Sequence, residues 1–170
     1  LIVTLRPNEG IFNKRSLQRI EKIENEILEI DGVNQVLSIL DAPIVEQPKV
    51  SLSEIGDNIK YLLDEGIDLQ KAKQEILSNP IYQELIVSKD GSTTAFQILL
   101  DKNESYEILI QQRYDLLESD KPSTLLEVNR KINEQNSLIQ EKEKRIVAEI
   151  RSVINNNRDF GVLFSWVVQQ

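Results

Sequence analysis

The opening stretch of 39 residues, LIVTLRPNEGIFNKRSLQRIEKIENEILEIDGVNQVLSI, constrains the fold of this chain more than any other feature. Ile2 and Val3 begin an apolar strand-like run, and Pro7, Asn8, Glu9 and Gly10 form a turn cluster. Leu17, Ile20, Ile23, Ile27 and Ile30 then recur at spacings of three and four, which places them on one helical face. Ser16 is the expected N-cap, and Gly32 suits the left-handed position that ends a helix. Val33, Gln35, Leu37 and Ile39 alternate with Asn34, Val36, Ser38 and Leu40 as a second strand. A strand–helix–strand unit carries an apolar helix stripe that must be buried on a sheet.

Further elements follow in a definite order. Pro43 and Pro48 mark a linker. Ser51-Leu52-Ser53-Glu54 is a capping-box pattern opening a helix with Ile55, Ile59, Leu62 and Leu63 inward, which ends near Gly66. Asp68 caps a second short helix bearing Leu69, Ala72, Ile76 and Leu77, and Asn79-Pro80 stops it. Residues 51–80 therefore read as a helical insertion. Between 84 and 101, Leu85 and Val87 alternate on one arm, and Thr94, Phe96, Ile98 and Leu100 on the other. Asp90-Gly91 between them suits a two-residue type I′ hairpin turn. Residues 105–118 predict a helix with Ile108, Leu109, Gln112, Leu116 and Leu117 on one side.

From about 124 to 157 runs one long helix of roughly 50 Å. Leu125, Ile132, Ile139, Ile146 and Val153 repeat at strict intervals of seven. The companion positions Val128, Gln135, Lys142 and Glu149 are mostly polar, so a full two-stranded coiled coil is not expected. The apolar stripe widens at Ile146, Val147, Ile150, Val153 and Ile154. Residues 160–168, with Gly161 and the lone Trp166, form a last apolar strand.

Composition removes whole classes of function. The chain has neither Cys nor His, which excludes thiolate nucleophiles, disulfides, Cys/His zinc sites and His-based triads. No remaining nucleophile has a recognisable base beside it in sequence, so the chain reads as non-enzymatic. No cofactor is expected. The net charge of −8 argues against a nucleic-acid groove, which needs clustered Lys and Arg. Methionine is absent and the first residue is Leu1, so the chain is expected to be a processed product or a piece of something longer. No apolar run reaches the roughly 18 residues that span a bilayer.

Without the insertion and the middle of the long helix, the order is strand, helix, strand, hairpin, helix, strand. That order predicts an α+β fold: a ferredoxin-like, split βαβ sandwich within a single domain spanning 1–170. Helix 16–30 and the end of helix 124–157 are expected to cover one sheet face, and residues 105–140 to form a long helical hairpin protruding from it.

The chain resembles the first periplasmic porter segment of an exporter of the resistance–nodulation–division (RND) superfamily, nearest the MmpL-like and hopanoid-transporter-like branch. The residues that carry the resemblance are the opening stretch to Leu40, NPIYQELIVSKDGSTTAFQILL, and RIVAEIRSVINNNRDFG. Their order and spacing cover nearly the whole chain. One departure is the end: members of this branch often continue into a Gly-rich stretch with a Pro, where this chain has Val162-Leu163-Phe164-Ser165-Trp166-Val167-Val168. The resemblance implies an extracytoplasmic domain of a proton-driven exporter in the bacterial inner membrane. Its partners would be a second porter segment, the transmembrane helices and an apolar or lipid-like substrate, and the parent could oligomerise. It implies no catalytic residue in this segment. Two other classes stand beside it: a soluble ligand-sensing or regulatory domain on the same fold, and a helical-hairpin protein-interaction module.

The candidate interface residues are Trp166 and Phe164 on the last strand and Leu125, Ile132 and Ile139 on the long helix. Phe96, Tyr106, Tyr114 and Phe160 are further aromatic positions, with core filling the simpler role for Phe96 and Phe164. Glu24, Glu26, Glu29 and Asp31 are acidic and close in sequence, but on a helix they diverge and read as a solvated face.

Overall fold

The computed structural model describes residues 1–45, 59–83, 85–117 and 122–166, with residue 122 and residues 163–166 described by their backbone alone. Among the described residues the chain is a mixed α+β protein. Four strands form one antiparallel sheet: β1 (Ile2–Pro7), β2 (Val33–Leu37), β3 (Thr94–Leu100) and β4 (Gly161–Trp166). Their order is β2-β3-β1-β4, and every neighbouring pair is antiparallel. The helices are α1 (Lys14–Leu28), α2 (Leu69–Ser78), α3 (Glu104–Leu117) and α4 (Pro122–Asn156).

The alternation expected of a sheet covered on one side is present. Val3 and Leu5 of β1, Val36 of β2, and Thr94, Phe96 and Ile98 of β3 are buried. Ile2, Gln97 and Leu99 are exposed. The core adds Leu17, Ile20, Ile23 and Ile27 of α1 and Ile150 and Ile154 from the last turns of α4. Fully burying an aliphatic side chain of this size contributes about 1.5–3 kcal/mol. The register of β2 on β3 shifts between Val33 and Gln35, a bulge at Asn34 that breaks strict alternation and leaves Val36 as the buried residue of the strand.

Several local expectations are corrected. The N-cap of α1 is Asn13 and not Ser16: Asn13 Oδ1 accepts from the Ser16 amide at 2.8 Å, and its Nδ2 donates to Ser16 Oγ at 2.9 Å. Ser16 is instead a buried residue of the first turn. Gly32 does adopt φ +97, but it lies beyond a short turn after the C-cap residue Glu29. The first expected insertion helix falls at 51–58 outside the described residues, and its remainder at 59–66 is turn and an isolated bridge between Ile44 and Lys60. The second one forms as read, with Asp68 Oδ1 accepting from the amides of Gln70 and Lys71.

The hairpin also differs. Among the described residues only its second arm, β3, is a strand; before it Gln83 and Val87 make isolated bridges, with each other and from Val87 to Thr94 of β3. Its loop has four residues instead of two, since Ser88 N donates to Thr93 O at 2.9 Å. Inside it, Gly91 N donates to Ser88 O at 2.8 Å and Gly91 holds φ +68. Asp90 turns inward on this loop: Oδ1 accepts from the Ser92 amide at 3.0 Å and from Ser88 Oγ. A carboxylate that takes two local donors favours a wider loop over a tight type I′ turn.

The described chain divides into two compact units, one made of residues 1–100 and 150–170 and the other of Asp101–Glu149. The second unit holds α3 and most of α4. Pro122 opens α4, where its missing N–H costs nothing. Val128, Ile132 and Ile146 are buried, while no residue of α3 is. The half-covered side of α3 carries Tyr106, Leu109, Ile110 and Leu116; Ile108, Gln112 and Leu117, expected inward, are exposed. Ion pairs on this unit are exposed: Lys131–Glu127, Arg130–Glu134 and Arg145–Glu149 lie one helical turn apart, and Lys142–Asp101 joins distant positions.

Candidate functional site

Two features of the sheet unit are built precisely enough to examine as sites. The first is polar and centres on the turn after α4. Asn157 is 1% exposed, and its side chain is fully engaged. Oδ1 accepts from Arg19 Nε at 3.0 Å. Nδ2 donates to Glu26 Oε2 and to Val153 O, both at 2.9 Å. Arg19 reaches on to Asp159 Oδ1 at 3.0 Å, with its guanidinium 5.9 Å from the centre of the Phe160 ring. Asn8, at the end of β1, donates its amide to Phe160 O at 3.0 Å and its side chain to Asp159 O at 3.1 Å. One side chain thus joins the end of α4 to two turns of α1, and the following turn is sewn to β1.

Beside this network lies a cleft of about 270 Å³ with Arg15, Gln18 and Arg19 on one wall and Asp159 and Phe160 on another. Its charges are mutually neutralised: Arg15 pairs with Glu9 at 3.1 Å and Arg19 with Asp159. Nothing in it resembles a nucleophile activated by a base. The chemistry it supports is structural. A buried amide that bonds through its oxygen and through both hydrogens of its nitrogen fixes geometry, because any rearrangement leaves a buried polar group unpaired.

The second feature is an apolar groove of about 540 Å³. Leu85, Ile86 and Val87 and the sheet residues Thr4 and Ala95 line it, together with the polar Ser88, Lys89, Asp90 and Thr93. Leu85 is 72% exposed. Hydrogen bonds from Ser88 and Ser92 hold the Asp90 carboxyl down at about 2, below its usual range, although it is fully exposed. That loop contribution is present above the ordinary aspartate value of 3.8 and fades as pH falls towards about 2. A groove that is mostly apolar, with the charged Lys89 and Asp90 among its lining residues, suits an amphipathic surface.

The residues singled out from sequence fall in different places. Phe164 and Trp166 sit on edge strand β4, in register with Thr4 and Ile2 of β1. Leu125, Ile132 and Ile139 lie on α4 in the other unit; Ile132 is buried and its two companions are half-buried. The structure thus divides the five between the two units. Phe96 is fully buried, Phe160 is half-covered against Arg19, and Tyr114 is exposed. The acidic positions of α1 disperse: Glu26 goes to Asn157 and Lys22, and Glu24 to Ser38. Among the described residues no three acidic side chains converge as metal ligands. Asn157 and Arg19 were missed because their partners lie more than a hundred residues away in the chain.

Glu24 has a distinct environment. It accepts from Ser38 Oγ at 2.6 Å, and Ser38 is buried and capped in turn by Asp41 Oδ2 at 2.7 Å from its amide. Burial raises the Glu24 value above 4.5; the Ser38 hydrogen bond opposes this, and the Asp41 and Glu21 carboxylates add to it. The sign follows directly. A carboxyl raised in the folded state destabilises the fold at neutral pH, and the penalty is relieved as pH falls through the folded value towards 4.5. Glu24→Gln is expected to stabilise the protein at pH 7 by less than about 1 kcal/mol. The gain should shrink in urea denaturation at acidic pH; an equal difference at both pH values would remove Glu24 as its source.

Comparison with protein-family models, curated proteins and solved structures finds no match to this chain. Among the described residues no helix is long and apolar enough to cross a membrane.

Proposed function

We propose that this chain is an extracytoplasmic porter domain of a proton-driven exporter of the RND type, and that its sheet unit is a ferredoxin-like, split βαβ sandwich. The observation that carries the reading is the strand order β2-β3-β1-β4. In it the strands of β1-α1-β2 interleave with those of β3-α3-α4-β4, and such interleaving is what a split βαβ requires. The motif order of the sequence supports the same reading, and so does the apolar groove on the open side of the sheet.

In this role the domain does no chemistry. It is a rigid body that moves against a second porter segment and opens or closes a path for an apolar or amphipathic molecule. Proton-carrying residues would belong to membrane helices outside this chain. The Asn157 network suits the task, since it holds the end of α4 on α1 so that the sandwich moves as one piece. The test is the reading frame that encodes the chain. A hydrophobic span before Leu1 and several after Gln170 are expected, and polar flanks on both sides would overturn the proposal.

A second reading is favoured by the unit Asp101–Glu149, where Ile108 and Tyr114 are 57% and 59% exposed and Leu126 and Leu138 also face solvent. Large apolar side chains on a two-helix unit suit a protein-interaction module. Replacing residues 105–140 by a short Gly-Ser linker should abolish capture of the partner if that reading holds. Unchanged capture would leave the porter reading alone.

A further inference from the structure

We draw no further inference here: the strongest candidate, the apolar groove of about 540 Å³ between Leu85, Ile86 and Val87 and the open sheet face at Thr4 and Ala95, carries nothing beyond the reading above because nothing in the structure shows what covers it.

Discussion

Gly161→Ala is expected to cost about 3 kcal/mol or more, at or above the upper end of ordinary overpacking penalties. Gly161 begins β4 opposite Pro7 of β1. A Cβ there would lie 2.3 Å from Arg6 O, 2.9 Å from Arg6 C and 2.9 Å from Pro7 Cα. All three are backbone atoms, so no side-chain rotation relieves the clash. The strand must move away, and moving it strains the ladder from Pro7–Gly161 to Ile2–Trp166. It also strains the bonds from Asn8 to Phe160 and Asp159. For a chain of this size such a loss lowers Tm by about 6–12 °C. Thermal unfolding followed by circular dichroism measures it directly. A variant melting within 2 °C of the parent (about the effect of 1 kcal/mol or less) would mean that β1 and β4 do not approach this closely.

Asn157→Ala is the second large effect, expected to cost about 2–3 kcal/mol. It removes the acceptor for Arg19 Nε and the donor to Glu26 in a position that is 1% exposed. Leaving buried polar groups unpaired costs about 1–3 kcal/mol, more where a charge is involved. Arg19 keeps Asp159 and Glu26 keeps Lys22, which caps the loss. A double-mutant cycle with Glu26→Ala separates the network from simple cavity formation. Coupling of 0.5 kcal/mol or more is the range for residues sharing a hydrogen bond; additivity of the two losses would show that the Asn157–Glu26 bond contributes nothing to stability.

The two variants also bear on function from opposite sides. Gly161→Ala disturbs the sheet on which any groove-lining residue depends. Asn157→Ala leaves β1 and β3 untouched and loosens only the attachment of α4 to α1. If the proposed porter role holds and the domain works as a rigid body, transport should fall with Asn157→Ala even at temperatures where the domain remains folded.

The sequence made some of this legible and hid the rest for identifiable reasons. The stripe Leu17, Ile20, Ile23 and Ile27 predicted α1 and its buried face, because helical periodicity is a local property of the chain. Asp68 as the cap of α2 and Pro80 as its stop were equally local. Ser16 misled because Ser is a good cap residue in isolation. Asn13, three residues earlier, has an extended backbone at φ −141 and a side chain aimed at the free amide, which the residue types alone do not disclose. The first hairpin arm misled in a similar way. Leu85 and Val87 alternate, yet the four-residue loop held by Asp90 sends that segment out of the ladder after isolated bridges.

By itself the sequence determined the strand–helix–strand opening, the buried stripe of α1, the strand β3 with its buried Phe96 and Ile98, and the exclusion of Cys- and His-based chemistry. These follow from residue types and spacings within about one turn or one strand. Only the tertiary structure decided the order of strands in the sheet, the bulge at Asn34, the need for glycine at 161 and the hub at Asn157. Each of those depends on groups brought together from elements distant in the chain, or on the space left between two backbones, and neither quantity is written in the local pattern of the chain.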